Sequence, residues 1–122
     1  MGALTSAYNL IRQHNYTYGH KADVYRYSTT TNSLGQTVLG TLSKVYSSVS
    51  MSYKVRRYPP KELTVEGVEF KNYYDAYVND YTDAGATVTL LDGDKLYIGS
   101  DVYDVIKPKL EPFGYMALLV KQ

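Results

Sequence analysis

Residues 41–55 set the pattern for most of this chain. Val45, Ser47, Val49, Met51, Tyr53 and Val55 fall at every second position, opposite serines and lysines, which predicts the longest strand of the protein. Residues 22–28 alternate in the same way, with Ala22, Val24 and Arg26 on one face and Asp23, Tyr25 and Tyr27 on the other. The polar stretch 29–36 between them, with Asn32 and Gly35 as turn formers, reads as a loop that closes a hairpin. Only residues 4–14 carry apolar positions at helical spacing (Leu4, Ala7, Tyr8, Leu10, Ile11), with Thr5 or Ser6 placed to cap them. One short amphipathic helix is expected there.

In residues 71–79 a strand would place Tyr74, Ala76 and Val78 opposite Tyr73, Asp75 and Tyr77, whereas a helix would group Tyr73 with Tyr77. Tyrosine density and β context favour the strand. A turn over 80–85 and a strand over 86–91 follow. Residues 92–106 then hold two corners, Asp92-Gly93-Asp94 and Gly99-Ser100-Asp101, around the alternating positions Leu96, Ile98, Val102, Tyr103 and Val105. Residues 107–114, with Pro108 and Pro112, read as a loop, and 115–120 as the closing strand. The pattern predicts a mainly β domain: a small antiparallel β-barrel or sandwich of about six or seven strands with a short N-terminal helix.

The length, 122 residues, fits a single domain (1–122), with a helix and link over 1–20 and a barrel-like body over 21–122. The absence of cysteine removes disulfides and thiolate chemistry, and two histidines, His14 and His20, leave little material for a metal site. Thirteen basic against twelve acidic residues do not suit a protein that coats nucleic acid through bulk charge. With neither a span of about twenty apolar residues nor a signal-peptide pattern, a soluble protein made in the cytoplasm and without membrane contact is expected.

Asp92, Asp94 and Asp101 lack the remaining ligands of a calcium loop and read as turn formers. Glu62, Glu66, Glu69, Asp75, Asp80 and Asp83 are scattered, so a solvated surface is expected rather than a carboxylate pair in a cleft. The serines between 43 and 52 lie on the polar face of a strand without a nucleophile elbow or a partner histidine. Glycines occur singly, at turns, and form no phosphate cradle. No catalytic, metal or cofactor residues are therefore assigned, and the protein is expected not to be an enzyme.

Two features remain. Residues 54–61 concentrate Arg56, Arg57 and Lys61 beside Tyr53 and Tyr58, and Pro59-Pro60 stiffens the long loop that follows over 59–66. Such a basic and aromatic mixture can track a phosphate backbone, pair with carboxylates of a neighbouring subunit, or simply be solvated. The second feature is fifteen tyrosines against two phenylalanines and no tryptophan. A tyrosine ring suits a half-buried surface, so Tyr53, Tyr73, Tyr74 and Tyr77 are candidates for a subunit interface as well as ordinary strand residues.

The C-terminal half, with the Gly93-Asp94 turn, apolar Leu96, a second turn at Gly99, Tyr103 and Val105 in the next strand and the apolar run from Met116 to Val120, resembles the head-completion, or stopper, family of tailed-bacteriophage head-to-tail connectors. The likeness spans roughly residue 22 to the C-terminus. It implies a structural subunit of a homo-oligomeric ring in the neck of a virion, bound to portal or adaptor above and to tail terminator or tail tube proteins below. It also implies that a loop between two strands points into the channel and helps retain packaged double-stranded DNA. By position that loop is 56–69, which would place Arg56, Arg57, Tyr58 and Lys61 against DNA or a neighbouring subunit. The N-terminal helix departs from the plainest members of the family. Neighbouring readings are a tail terminator or another neck protein; an adaptor, being largely helical, fits the β-rich text less well. From another class stands a monomeric ligand-binding β-sandwich with a tyrosine platform.

Overall fold

The computed structural model describes residues 3–56 and 73–122, with side chains from residue 9 onward. One helix, α1 (Ala3–Tyr18), precedes six strands: β1 (His20–Thr31), β2 (Thr37–Val55), β3 (Tyr73–Thr82), β4 (Lys95–Ile98), β5 (Asp101–Glu111) and β6 (Gly114–Lys121). They form a closed antiparallel barrel in the order β1-β2-β3-β6-β5-β4. The mainly β barrel with an N-terminal helix follows the hydrophobic alternation. Closure pairs the strands all round, so the barrel body presents no free sheet edge. No helix among the described residues is long and apolar enough to cross a membrane.

The alternating positions fill the interior. Val24, Met51, Val78, Leu96, Val105 and Leu119 are fully or almost fully buried, and at about 25 cal/mol per Å² their apolar surface is the main source of stability. The phase of β2 does not hold along its whole length. Ala22 pairs with Val49 but Val24 pairs with Tyr46, so β2 carries an extra residue at a bulge where Ser48 adopts φ 52°. Beyond the bulge the inward residue is Tyr46, packed against the core, while Val45, expected on the inner face, is exposed. Two aspartates hold the bulge: Ser48 N–H donates to Asp23 (3.0 Å), and Asp83 N–H donates to Ser48 C=O (2.9 Å).

Two expected boundaries shift for similar reasons. Residues 107–111 belong to β5 rather than to a loop, because a second bulge, with Lys107 at φ 48° and its N–H on Asp92 (2.7 Å), takes up Pro108 where a missing donor does no harm. Residues 86–91 are no strand. They make one isolated bridge, Tyr81 to Thr87, yet insert Val88 and Leu90 into the core across one end of the barrel. Side chains replace the missing ladder there. Tyr46 Oη accepts from Thr89 N–H (3.1 Å), Asp94 accepts from Leu91 N–H (2.9 Å), and Arg26 donates to Thr89 C=O (2.7 Å).

Arg26 and Asp94 are joined by a two-pronged pair of 2.8 and 2.7 Å, with the Asp94 side chain 2% exposed. The hydrogen bond to Asp94 raises the Arg26 pKa, outweighing the opposing effect of burial. Gly93 and Gly99 take the positive φ (88° and 61°) that the two corners of residues 92–106 require. Asp94 and Asp92 thus do more than form a turn: each anchors a backbone or a cation from another element.

α1 extends beyond the expected residue 14 and is fastened by polar groups. Asn15, 2% exposed, donates to Tyr77 C=O (3.2 Å) and to Asn79 Oδ1 (3.0 Å); Asn79 donates to Arg12 C=O (3.2 Å), and Arg12 pairs with Asp80 (3.1 Å). At Gly19 a Cβ would lie 2.3 Å from Met51 C=O, so only glycine lets the chain turn from helix to β1 this close to the barrel. Leu10 and Ile11, expected on a buried stripe, are instead exposed.

Breaking the Arg26–Asp94 pair leaves a buried carboxylate unmatched, so Arg26→Ala is expected to lower stability by about 3 kcal/mol in urea unfolding. By contrast, Lys44→Ala, which removes a half-exposed pair with Asp23 (3.3 Å), should cost less than about 1 kcal/mol. Equal losses would show that the pair does not anchor the barrel end. Burial pushes the Asp83 carboxyl up, but hydrogen bonds from Lys21 and Ser50 outweigh it and hold Asp83 below the ordinary carboxylate range. The unfolded chain therefore takes up this proton first, near pH 4. Stability from Asp83 is complete above that pH and is lost as pH falls through the lower folded value. Acid titration of Asp83→Asn should show a shallower loss in that window than the parent chain.

Candidate contact surface on the outer face of the barrel

The basic cluster begins where β2 ends. Arg56 N–H donates to Tyr73 C=O (2.7 Å), one step beyond the ladder, so the two described parts of the chain end and resume side by side. Arg57, Tyr58, Lys61 and the long loop lie outside the described residues. Arg56 and Lys54 face outward, and the structure brings them onto a shallow groove of about 430 Å³ across the outer face of β2, β3, β6 and β5. Lys107 and Lys109 line the same groove from β5, with Met116 and Leu118 of β6 along its floor.

Sequence reasoning missed the two lysines of β5, because residues 107–114 read as a loop. The bulge is what places them. Ile106 pairs with Leu118 and Lys109 with Met116, so two residues three apart share the outer face; in a regular strand they would point to opposite sides. The signal for such a bulge is a proline inside an alternating run, here Pro108, next to Lys107, whose N–H meets Asp92 fifteen residues earlier.

Two carboxylates, Asp75 and Glu111, accompany the four cations of the groove. Arg56 lies 3.6 Å from Asp75, with both side chains about 40% exposed, and Lys109 lies 3.1 Å from Glu111. Pairs this open contribute at most about 1 kcal/mol each, so the cations can exchange these partners for another anion at little cost. The groove can therefore bind a polyanion electrostatically.

The candidate aromatics divide into two groups. Tyr53 and Tyr74 point to the barrel interior and meet Tyr103, which the sequence reading used only as a strand residue. The three ring centroids form a triangle with sides of 5.4 to 5.5 Å at the barrel end where Arg56 meets Tyr73. Burial pushes the Tyr103 hydroxyl above its usual pKa, and its hydrogen bond to the Tyr53 hydroxyl (3.4 Å) adds to the effect. Tyr73 and Tyr77 face outward, and Tyr77 packs against Phe113 (5.6 Å) beside α1.

The aspartates once weighed as metal ligands go to separate partners: Asp92 to Lys107 N–H, Asp94 to Arg26, Asp101 to Lys121 (3.6 Å). Among the described residues no three His, Cys, Asp or Glu side chains come together as a metal-binding group. Compared with known proteins, the chain matches no family model, no curated protein and no solved structure.

Proposed function

We propose that this protein is a structural subunit of a bacteriophage head-to-tail connector ring, of the head-completion type, that joins portal or adaptor to tail and helps retain packaged DNA. The observation that carries the reading is the convergence of Lys54, Arg56, Lys107 and Lys109 on one outer face, beside the backbone bond between Arg56 and Tyr73. A nearly neutral chain with four of its thirteen cations on one face suits contact with a phosphate backbone at a fixed place, not general coating of nucleic acid. The closed barrel supports the same reading, since a rigid body without free edges associates through faces and projections and keeps its shape in a ring.

Mass measurement of the purified chain, alone and with a portal, tests the assembly: a stoichiometric portal complex is expected, and a chain that stays monomeric in both settings would count against the connector. Replacing Arg56, Arg57 and Lys61 together by Ala should leave the circular dichroism spectrum unchanged while weakening DNA retention or ring assembly. On duplex DNA, Arg56→Ala with Lys109→Ala should reduce the slope of log binding constant against log salt by about 2, one phosphate contact for each cation. An unchanged slope would remove DNA from this face.

A further inference from the structure

The β1–β2 hairpin runs past the barrel as a two-stranded arm, and its two edges differ. From the His20–Met51 pair to the Thr31–Thr37 pair β1 uses 12 residues and β2 15, and each of the three register shifts adds its extra residue to β2. Bulges of this kind twist a strand edge away from further pairing. The β1 edge has no such protection. β4 pairs with β1 only over Asp23 to Tyr25, and among the described residues no segment but β2 bonds to the backbone of residues 27–31. These residues, Tyr-Ser-Thr-Thr-Thr, include neither a charge nor a proline. A two-stranded ribbon outside a barrel is marginally stable in water, so a third strand on this edge would also order the arm.

At its base the edge opens into a notch. A cleft of about 710 Å³ lies between the arm and the corner before β4, with Leu39 of the arm and Leu91 of the corner in its lining. Leu39 is 65% exposed and Leu91 46%, apolar surface that an incoming side chain would cover. The lining carries three carboxylates, Asp92, Asp94 and Asp104, against two cations, Arg26 and Lys95. Each cation already holds one carboxylate: Arg26 pairs with Asp94 and Lys95 with Asp104. Asp92 accepts from Lys107 N–H and meets no cation among the described residues. The notch therefore keeps one unmatched negative charge, which favours a cation and repels a polyanion.

We infer that the outer edge of β1 at residues 27–31, with the notch at its base, binds an extended segment of a partner protein by strand addition. An apolar side chain of the segment enters between Leu39 and Leu91, and a lysine or arginine pairs with Asp92. Main-chain bonds to the edge supply affinity, and the notch selects the side chains. A strand added antiparallel to β1, as β4 is, runs toward the corner at residues 92–94, so the cation belongs near its C-terminal end. Alternate residues of a strand share a face, which sets the apolar and basic residues two apart. The site is opposite in charge to the basic groove and independent of the connector reading.

The peptide acetyl-Thr-Val-Thr-Leu-Thr-Lys-Thr-amide carries this pattern and is the probe. Titrated into isotope-labelled protein, it should shift the amide resonances of residues 27–31 together with those of Leu91 and Asp92. Of its two alternately N-methylated forms, the one whose methyl groups meet β1 should lose binding and the other should keep it. Asp92→Asn retains the acceptor for Lys107 N–H and removes only the charge; it should weaken the lysine peptide about fivefold, the upper worth of one exposed ion pair, and leave a glutamine analogue unaffected. No shift at residues 27–31 with millimolar peptide would overturn the inference, as would equal affinities of the two methylated forms or a lysine peptide indifferent to Asp92→Asn. Concentration-dependent broadening of residues 27–31 that the peptide fails to reverse would overturn it too, by giving the edge to a second copy of the chain.

Discussion

The grip of Arg26 on Asp94 is the interaction on which the barrel most depends. It ties β1 to the corner before β4, and through Thr89 and Leu91 it holds the one core-forming segment that has no ladder of its own. Val88 and Leu90 reach the interior only while that segment stays in place. A charged pair does this better than an apolar contact could, since five directed donors on a planar guanidinium can satisfy a carboxylate and a carbonyl at once. The apolar interior and its polar anchor are therefore one structure: without the anchor, one end of the core would open to water.

Much of this was legible in the alternation of residues along the chain. Ala22 with Val24, Ala76 with Val78, and Leu96 with Val105 sit where a period of two places them, because each lies on a strand half buried against the interior. The strand reading of residues 71–79 holds for the described part, β3 from Tyr73. What periodicity could not reveal were its interruptions. Ser48 and Lys107 adopt a left-handed backbone that neither residue type favours, and aspartates distant in sequence stabilise them. Val45 and the lysines of β5 were misplaced for that reason. Residues 86–91 alternate like a strand, yet beyond one bridge to β3 their backbone is held mainly by the side chains of Tyr46, Asp94 and Arg26, which no local pattern reports. Of the basic cluster, Arg56 lies just past the end of β2, while Lys107 and Lys109 meet it only through the fold.

The polar fastening of α1 belongs to the same logic. A helix held by an apolar stripe would have hidden Leu10 and Ile11; one held by Asn15, Asn79 and Arg12 leaves them outside. Buried amides must find their partners, so the pairing of Asn15 with Asn79 fixes the helix in one position with little apolar burial.

The strand order has a consequence in time. β6, made last of the strands, lies between β3 and β5, and bonds to both over most of its length. Until it emerges from the ribosome, the other strands can form only one open sheet, β3-β2-β1-β4-β5, with β3 and β5 as free edges and no closed interior. Long-range pairings of this kind form slowly. The closed barrel can therefore appear only after synthesis has passed Lys121, so that a truncated chain lacks the rigid body on which any assembly would be built.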